Sequence, residues 1–152
     1  MIEAKWAALY QQNDIVAYYE PRSFRLMNEN GKEKYKQYTP DFHLVDQDIY
    51  HEVKLCTHPT SDEFKKCYYL SINIHRPVLI TWSDLSTTPR AVMFYPDGTL
   101  SGKIKFVKCP LCKECGWFES GLELKCDHNI NASNSLLDSM VKNVVTSEFI
   151  KS

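Results

Sequence analysis

The sequence predicts an α/β domain: a mixed sheet flanked by helices, with a small zinc-binding module toward the C-terminus. Three observations predict it. Residues 38–55 contain two short, β-prone segments separated by the polar run Val45-Asp46-Gln47-Asp48, the pattern of a hairpin. A helical pattern beginning at Thr60 is followed by the apolar run Pro77-Val78-Leu79-Ile80-Thr81-Trp82, so strand, helix and strand occur in the order of a parallel crossover. Four of the six cysteines fall between positions 109 and 126. The 152 residues, 43% hydrophobic and 24% charged, suit one main domain with a real core.

The elements follow in order. Ile2 to Tyr10 reads as a helix with Ile2, Trp6, Leu9 and Tyr10 on one stripe, and Glu3 is a favourable charge in its first turn. Asn28-Glu29-Asn30-Gly31 is a turn, since Asn and Gly tolerate positive φ. Lys32, Lys34 and Lys36 alternate after it, as on an exposed strand face. Tyr38 to Leu44 and Tyr50 to Leu55 are the hairpin strands. Thr60 and Glu63 form a capping box, and Phe64, Cys67, Tyr68 and Ile72 give the helix its buried face. Val92 to Tyr95 and Ile104 to Val107 read as strands with the turn Pro96-Asp97-Gly98 between them. Ser135 to Ile150 reads as an amphipathic helix, packed on the domain or forming a homodimer contact.

The net charge of −1 excludes binding of nucleic acid by bulk basicity, so any such contact must come from local patches. No apolar run approaches the length of a membrane span, and no leader is visible. The expected location is the cytoplasm, with no membrane partner.

The hairpin holds the chemistry. Side chains alternate faces along a strand, so Glu52 and Lys54 share one face while His51, Val53 and Leu55 take the other. Pairing brings Asp41 beside Glu52. Two carboxylates form a hard-oxygen site for Mg²⁺ or Mn²⁺, whose bound water is acidic enough to attack phosphorus. An adjacent lysine orients the water or stabilises developing charge. His43, His51, His58 and His75 read as structural or surface residues.

Pro40-Asp41, ten residues, then Glu52-Val53-Lys54 resembles the signature of the PD-(D/E)XK nuclease superfamily. Glu3-Ala4-Lys5-Trp6-Ala7, Tyr19-Glu20-Pro21 and Phe24-Arg25-Leu26 resemble, in order, the opening segments of its phage-type endonuclease branch. The resemblance covers about the first half of the chain. It implies a restriction-endonuclease-like core over residues 1–105, with catalytic Glu3, Asp41, Glu52 and Lys54. Glu20 is the rival for the third acidic role, its plain reading being an extended residue before a proline. The implied function is Mg²⁺-dependent cutting of DNA in phage or mobile-element processing, such as resolution of branched DNA, in the host cytoplasm if phage-encoded.

Cys109, Cys112, Cys115, Cys126 and His128 are five candidates for the four places of a structural Zn²⁺, in a zinc-ribbon-like element over 106–130. Residues 131–152 follow as the C-terminal helix. Trp117 is expected in the small core of that element. Lys103, Lys105, Lys108 and Lys113 are the best local candidates for DNA phosphate contact. Two alternatives stay open: a zinc-containing module that binds DNA or protein without catalysis, and a nuclease subunit active only with a partner protein.

Overall fold

The computed structural model describes residues 2–84, 89–108 and 114–119. Its order is α1 (Ile2–Gln12), β1 (Ala17–Tyr19), β2 (Phe24–Met27), β3 (Glu33–Tyr38), β4 (Phe42–Leu44), β5 (Ile49–Leu55), α2 (Ser61–Ile74), β6 (Val78–Ser83), β7 (Arg90–Phe94), β8 (Leu100–Ser101), β9 (Ile104–Lys108) and β10 (Cys115–Glu119). The expected helix at 135–150 lies outside the described residues.

A six-stranded sheet runs β1-β4-β5-β6-β7-β8. It is mixed: β5 and β6 are parallel, joined through α2, and the other pairs are antiparallel. The α2 start is the expected capping box, with Thr60 Oγ1 accepting from Glu63 N–H and Glu63 Oε1 accepting from Thr60 N–H. The β4–β5 turn occupies 45–48, with Leu44 facing Ile49. Strand β6 is buried along its whole length, as its unbroken apolar run requires.

Two cores lie on the two faces. Trp6, Leu9 and Tyr10 of α1 meet Phe42, Leu44, Val53, Leu79 and Phe106 on one. Leu26, Tyr38 and Tyr50 meet Cys67 and Leu70 of α2, with Val78, Ile80 and Trp82, on the other. Strand β5 divides its side chains between them: Val53 goes to the α1 face and Tyr50 to the α2 face. The period-two reading of the sequence is thus the partition that the fold uses.

Two expectations are corrected. Residues 38–44 are not one strand. Tyr38 ends β3, which pairs with β2, and Phe42 begins β4, which pairs with β1 and β5. Pro40 between them has no N–H to give a ladder. The expected turn at 96–98 is present and leads into the short β8, while β9 pairs with β10. Trp117, expected in a small core of its own, is buried in the α1 core against Trp6 and Phe106. The β9–β10 hairpin straddles the expected boundary at 105/106 and shares the main core through Ile104, Phe106 and Trp117.

Gln47 holds that hairpin in place. Its amide accepts from Trp117 N–H and donates to Trp117 O, both at 2.8 Å, as a neighbouring strand would. Gly116 makes room for it: a Cβ there would lie 2.5 Å from Gln47 Oε1.

Candidate active site

The β4–β5 register pairs Phe42 with His51, and one step further places Asp41 beside Glu52. Asp41 sits in the irregular step that Pro40 introduces, and its carboxylate is fixed there: Oδ2 accepts from Val53 N–H at 2.7 Å. Glu52 is only 5% exposed. The Tyr38 hydroxyl, delivered by the end of β3, donates to Glu52 Oε2. Burial pushes the Glu52 carboxyl up to about 8, reinforced by hydrogen bonding and charge from Asp41 and opposed by Tyr38 and Lys54. The Glu52 carboxyl therefore keeps its proton near neutrality, in a low-dielectric spot beside Asp41.

Lys54 lies on the same face. Its ammonium is 3.1 Å from Glu63 Oε2 in the first turn of α2. Burial works to lower it, and Glu52, Glu63 and Asp41 outweigh this and raise it, so it stays charged. Glu63 thus has two roles, closing the helix cap and holding the lysine. Sequence reasoning gave it only the first. Tyr38 was also missed as a site residue; its position three residues before Asp41 was the only signal, because its reach depends on β3 folding across the α2 face.

The other acids approach from the side of α1 and β1. The Tyr19 phenol is raised by partial burial, then by Glu20, Glu3 and Asp41, so these carboxyls surround one exposed tyrosine. Glu20 is not extended ahead of Pro21 as expected. It has φ +44°, with its N–H on Asp41 O at 2.7 Å, a conformation that non-glycine residues avoid. Among the described residues no three His, Cys, Asp or Glu side chains gather closely enough to hold a metal ion. Asp41 and Glu52 come together, while Glu3 and Glu20 stand aside. Two carboxylates are nonetheless a sufficient protein share for Mg²⁺, which keeps water for the rest. The raised Glu52 carboxyl marks where a cation's charge fits, because a positive charge there favours its ionised form.

His51, beside Glu52 in sequence, points to the opposite face and belongs to a closed chain of hydrogen bonds. Trp117 Nε1 donates to Tyr10 Oη at 3.0 Å. The buried Tyr10 O–H needs an acceptor of its own, and His51 Nδ1 at 2.7 Å supplies it, which leaves Nε2–H to donate to Thr81 Oγ1 at 2.7 Å. An indole can only donate, so the tautomer follows. Complete burial lowers His51 to about 3 and keeps it neutral. It is a structural histidine.

Cys115 at the start of β10 is half-buried, and burial pushes its thiol up to about 12 against the pull of Lys108. Cys109, Cys112, Cys126 and His128 lie outside the described residues, as does Lys113. Lys103 is exposed, Lys105 is half-buried on β9, and Lys108 donates to Asn13 Oδ1 at 3.0 Å. Among the described residues no helix is long and apolar enough to cross a membrane. In comparisons with known proteins, no family model and no curated protein matches the chain.

Proposed function

We propose that the chain is a Mg²⁺-dependent endonuclease that hydrolyses DNA backbone phosphodiesters. One observation carries the reading: Asp41, on the irregular step before β4, lies against the buried Glu52 of β5, with the charged Lys54 on the same face. Asp41 and Glu52 would hold Mg²⁺ or Mn²⁺, which supplies charge neutralisation and a more acidic water. The chain's own residues do the positioning. Val53 N–H orients Asp41, Tyr38 orients Glu52, and Glu63 holds Lys54 where its ammonium can meet a phosphate oxygen. Water oxygen bonds to phosphorus, one P–O ester bond breaks, and the leaving oxygen takes a proton. One fragment ends in a phosphate and the other in a hydroxyl. Glu3 and Glu20 would shape the outer charge of the site.

The phage-type sequence resemblance supports a setting in phage or mobile-element DNA processing, as a homodimer or with a partner protein. A structural Zn²⁺ held by four of Cys109, Cys112, Cys115, Cys126 and His128 belongs to the same reading, with Lys103, Lys105, Lys108 and Lys113 as contacts to DNA. The Lys54–Glu63 ion pair favours a second reading, a subunit whose lysine is released only on assembly.

The test is incubation of the purified protein with supercoiled, linear and four-way-junction DNA, with Mg²⁺ or chelator, beside Glu52→Ala. Metal-dependent cutting lost in the variant is expected. Tight binding without cutting by either protein would identify a binding module.

A further inference from the structure

The α2 face of the sheet carries a second polar site, one strand repeat from Glu52. Tyr50 precedes Glu52 by two residues on β5, so both side chains stand on the same face about 7 Å apart along the strand. Beside Tyr50 opens a cleft of about 470 Å³ whose charged lining is Arg22, Arg25, Arg76 and Asp48. Three guanidinium groups against one carboxylate are unusual on a chain whose net charge is −1.

The arginines are held in different ways, and each keeps donors to spare. Arg76 is anchored twice: Nε donates to Asp48 Oδ2 and Nη1 donates to His75 O at 2.9 Å. Arg22 stacks on the Phe24 ring at 4.6 Å, and Phe24 in turn meets Tyr50 edge-on with ring centroids 5.5 Å apart. Among the described residues Arg25 makes no hydrogen bond or ion pair. Asp48 is already committed to Arg76 and His43. Its negative charge is thereby spent on these two neighbours, and it does not offset the positive charge of Arg22 and Arg25. Burial and Asp48 raise the Tyr50 hydroxyl, and Arg22 and Arg76 both oppose them, so both guanidinium charges are felt at that donor.

We propose that this cleft binds a backbone phosphate of the DNA strand whose scissile phosphate lies at Asp41, Glu52 and Lys54. Guanidinium groups present paired donors that match phosphate oxygens. Contacts of this kind set the register of a strand without reading its sequence. The proposal rests on the nuclease reading for the identity of the strand, and not for the cleft itself. It also explains how a protein without overall positive charge can hold DNA near the carboxyl pair.

The experiment measures binding of a fluorescein-labelled DNA duplex by anisotropy, in chelator so that nothing is cut, across a salt series. The variants are Arg22→Ala/Arg25→Ala together and, separately, Arg25→Lys. The double variant is expected to bind about tenfold more weakly, with the slope of log K against log salt shallower by about 2. Arg25→Lys keeps the charge and is expected to retain the slope. Circular dichroism checks that the double variant is folded, and Arg25→Glu, at an exposed position, supplies the same reading with reversed charge if it is not. Unchanged affinity and slope in a folded variant would overturn the proposal. Inorganic phosphate is expected to displace the duplex beyond chloride at matched ionic strength from wild type and not from the double variant; equal displacement from both would also overturn the proposal. The two readings fail separately. Slope loss without cutting in Mg²⁺ sustains the cleft and ends the nuclease, whereas cutting with an unaltered slope does the reverse.

Discussion

Replacing Glu52 with glutamine should stabilise the protein at alkaline pH while abolishing the proposed DNA cutting. The Glu52 carboxyl is raised from 4.5 to about 8, chiefly by burial and then by Asp41. A carboxyl with a raised folded value binds a proton that the unfolded chain has released. Its contribution to stability is therefore complete below 4.5 and is lost as pH rises through about 8. At about 1.4 kcal/mol per unit, the shift corresponds to roughly 5 kcal/mol. Relaxation and water entry around the ionised carboxylate recover part of this, leaving about 2–3 kcal/mol. Glutamine is neutral at every pH, can accept from Tyr38 and can donate to Asp41. Thermal unfolding in chelator should show E52Q and wild type melting together near pH ~4, and E52Q melting about 5–10 °C higher near pH ~9. Mg²⁺ should then narrow the alkaline gap by stabilising wild type alone. Equal melting temperatures at both pH values would refute the claim that Glu52 is buried against Asp41 at an energetic cost.

Three further outcomes follow from the same geometry. His51 is lowered from 6.5 to about 3 by burial, so its contribution is present above 6.5 and lost as pH falls, opposite in sign to that of Glu52. Between 4.5 and 6.5 the two slopes oppose each other, and denaturant titrations should show a plateau there with stability falling on both sides; a monotonic curve would contradict this assignment. Tyr38→Phe removes the hydroxyl that lowers Glu52, so the pH at which cutting reaches half its maximum should move upward, with a stability loss of about 1–3 kcal/mol; an unmoved profile would remove Tyr38 from the site. Gly116→Ala sets a Cβ 2.5 Å from Gln47 Oε1 and should cost about 1–3 kcal/mol, but much less in a Gln47→Ala background, where additivity instead of coupling would show that the contact is not the cause.

Much of this architecture was legible in the sequence because local signals and tertiary structure agree. The Thr60–Glu63 capping box, the turn at 45–48 and the unbroken apolar run of β6 each name their own element. The alternation along β5 gave the facing of Glu52 against His51 without any knowledge of the partner strands. What stayed hidden depends on contacts distant in sequence. Nothing near Trp117 announces that its indole sets the tautomer of His51, 66 positions away, through Tyr10. Nothing near Tyr38 says that its strand leaves the hairpin register at Pro40 and turns its hydroxyl to Glu52. The positive φ of Glu20 ran against the extended conformation that a following proline favours, and it arises where β1 meets Asp41. The arginines of the Tyr50 cleft were invisible for the same reason: Arg22 and Arg25 come from β2 and the loop before it, and Arg76 from the end of α2.

The central claim is that Asp41 and Glu52 act as one seat for a divalent cation. Calorimetric titration of Mn²⁺ into the zinc-loaded chain, freed of excess zinc, tests it most directly, using wild type, Asp41→Asn and Glu52→Gln at pH ~8, where Glu52 can lose its proton. The expected result is one Mn²⁺ per wild-type chain, with proton release, and loss of that event in both variants. Mn²⁺ binding of equal strength and stoichiometry in all three proteins would contradict the account.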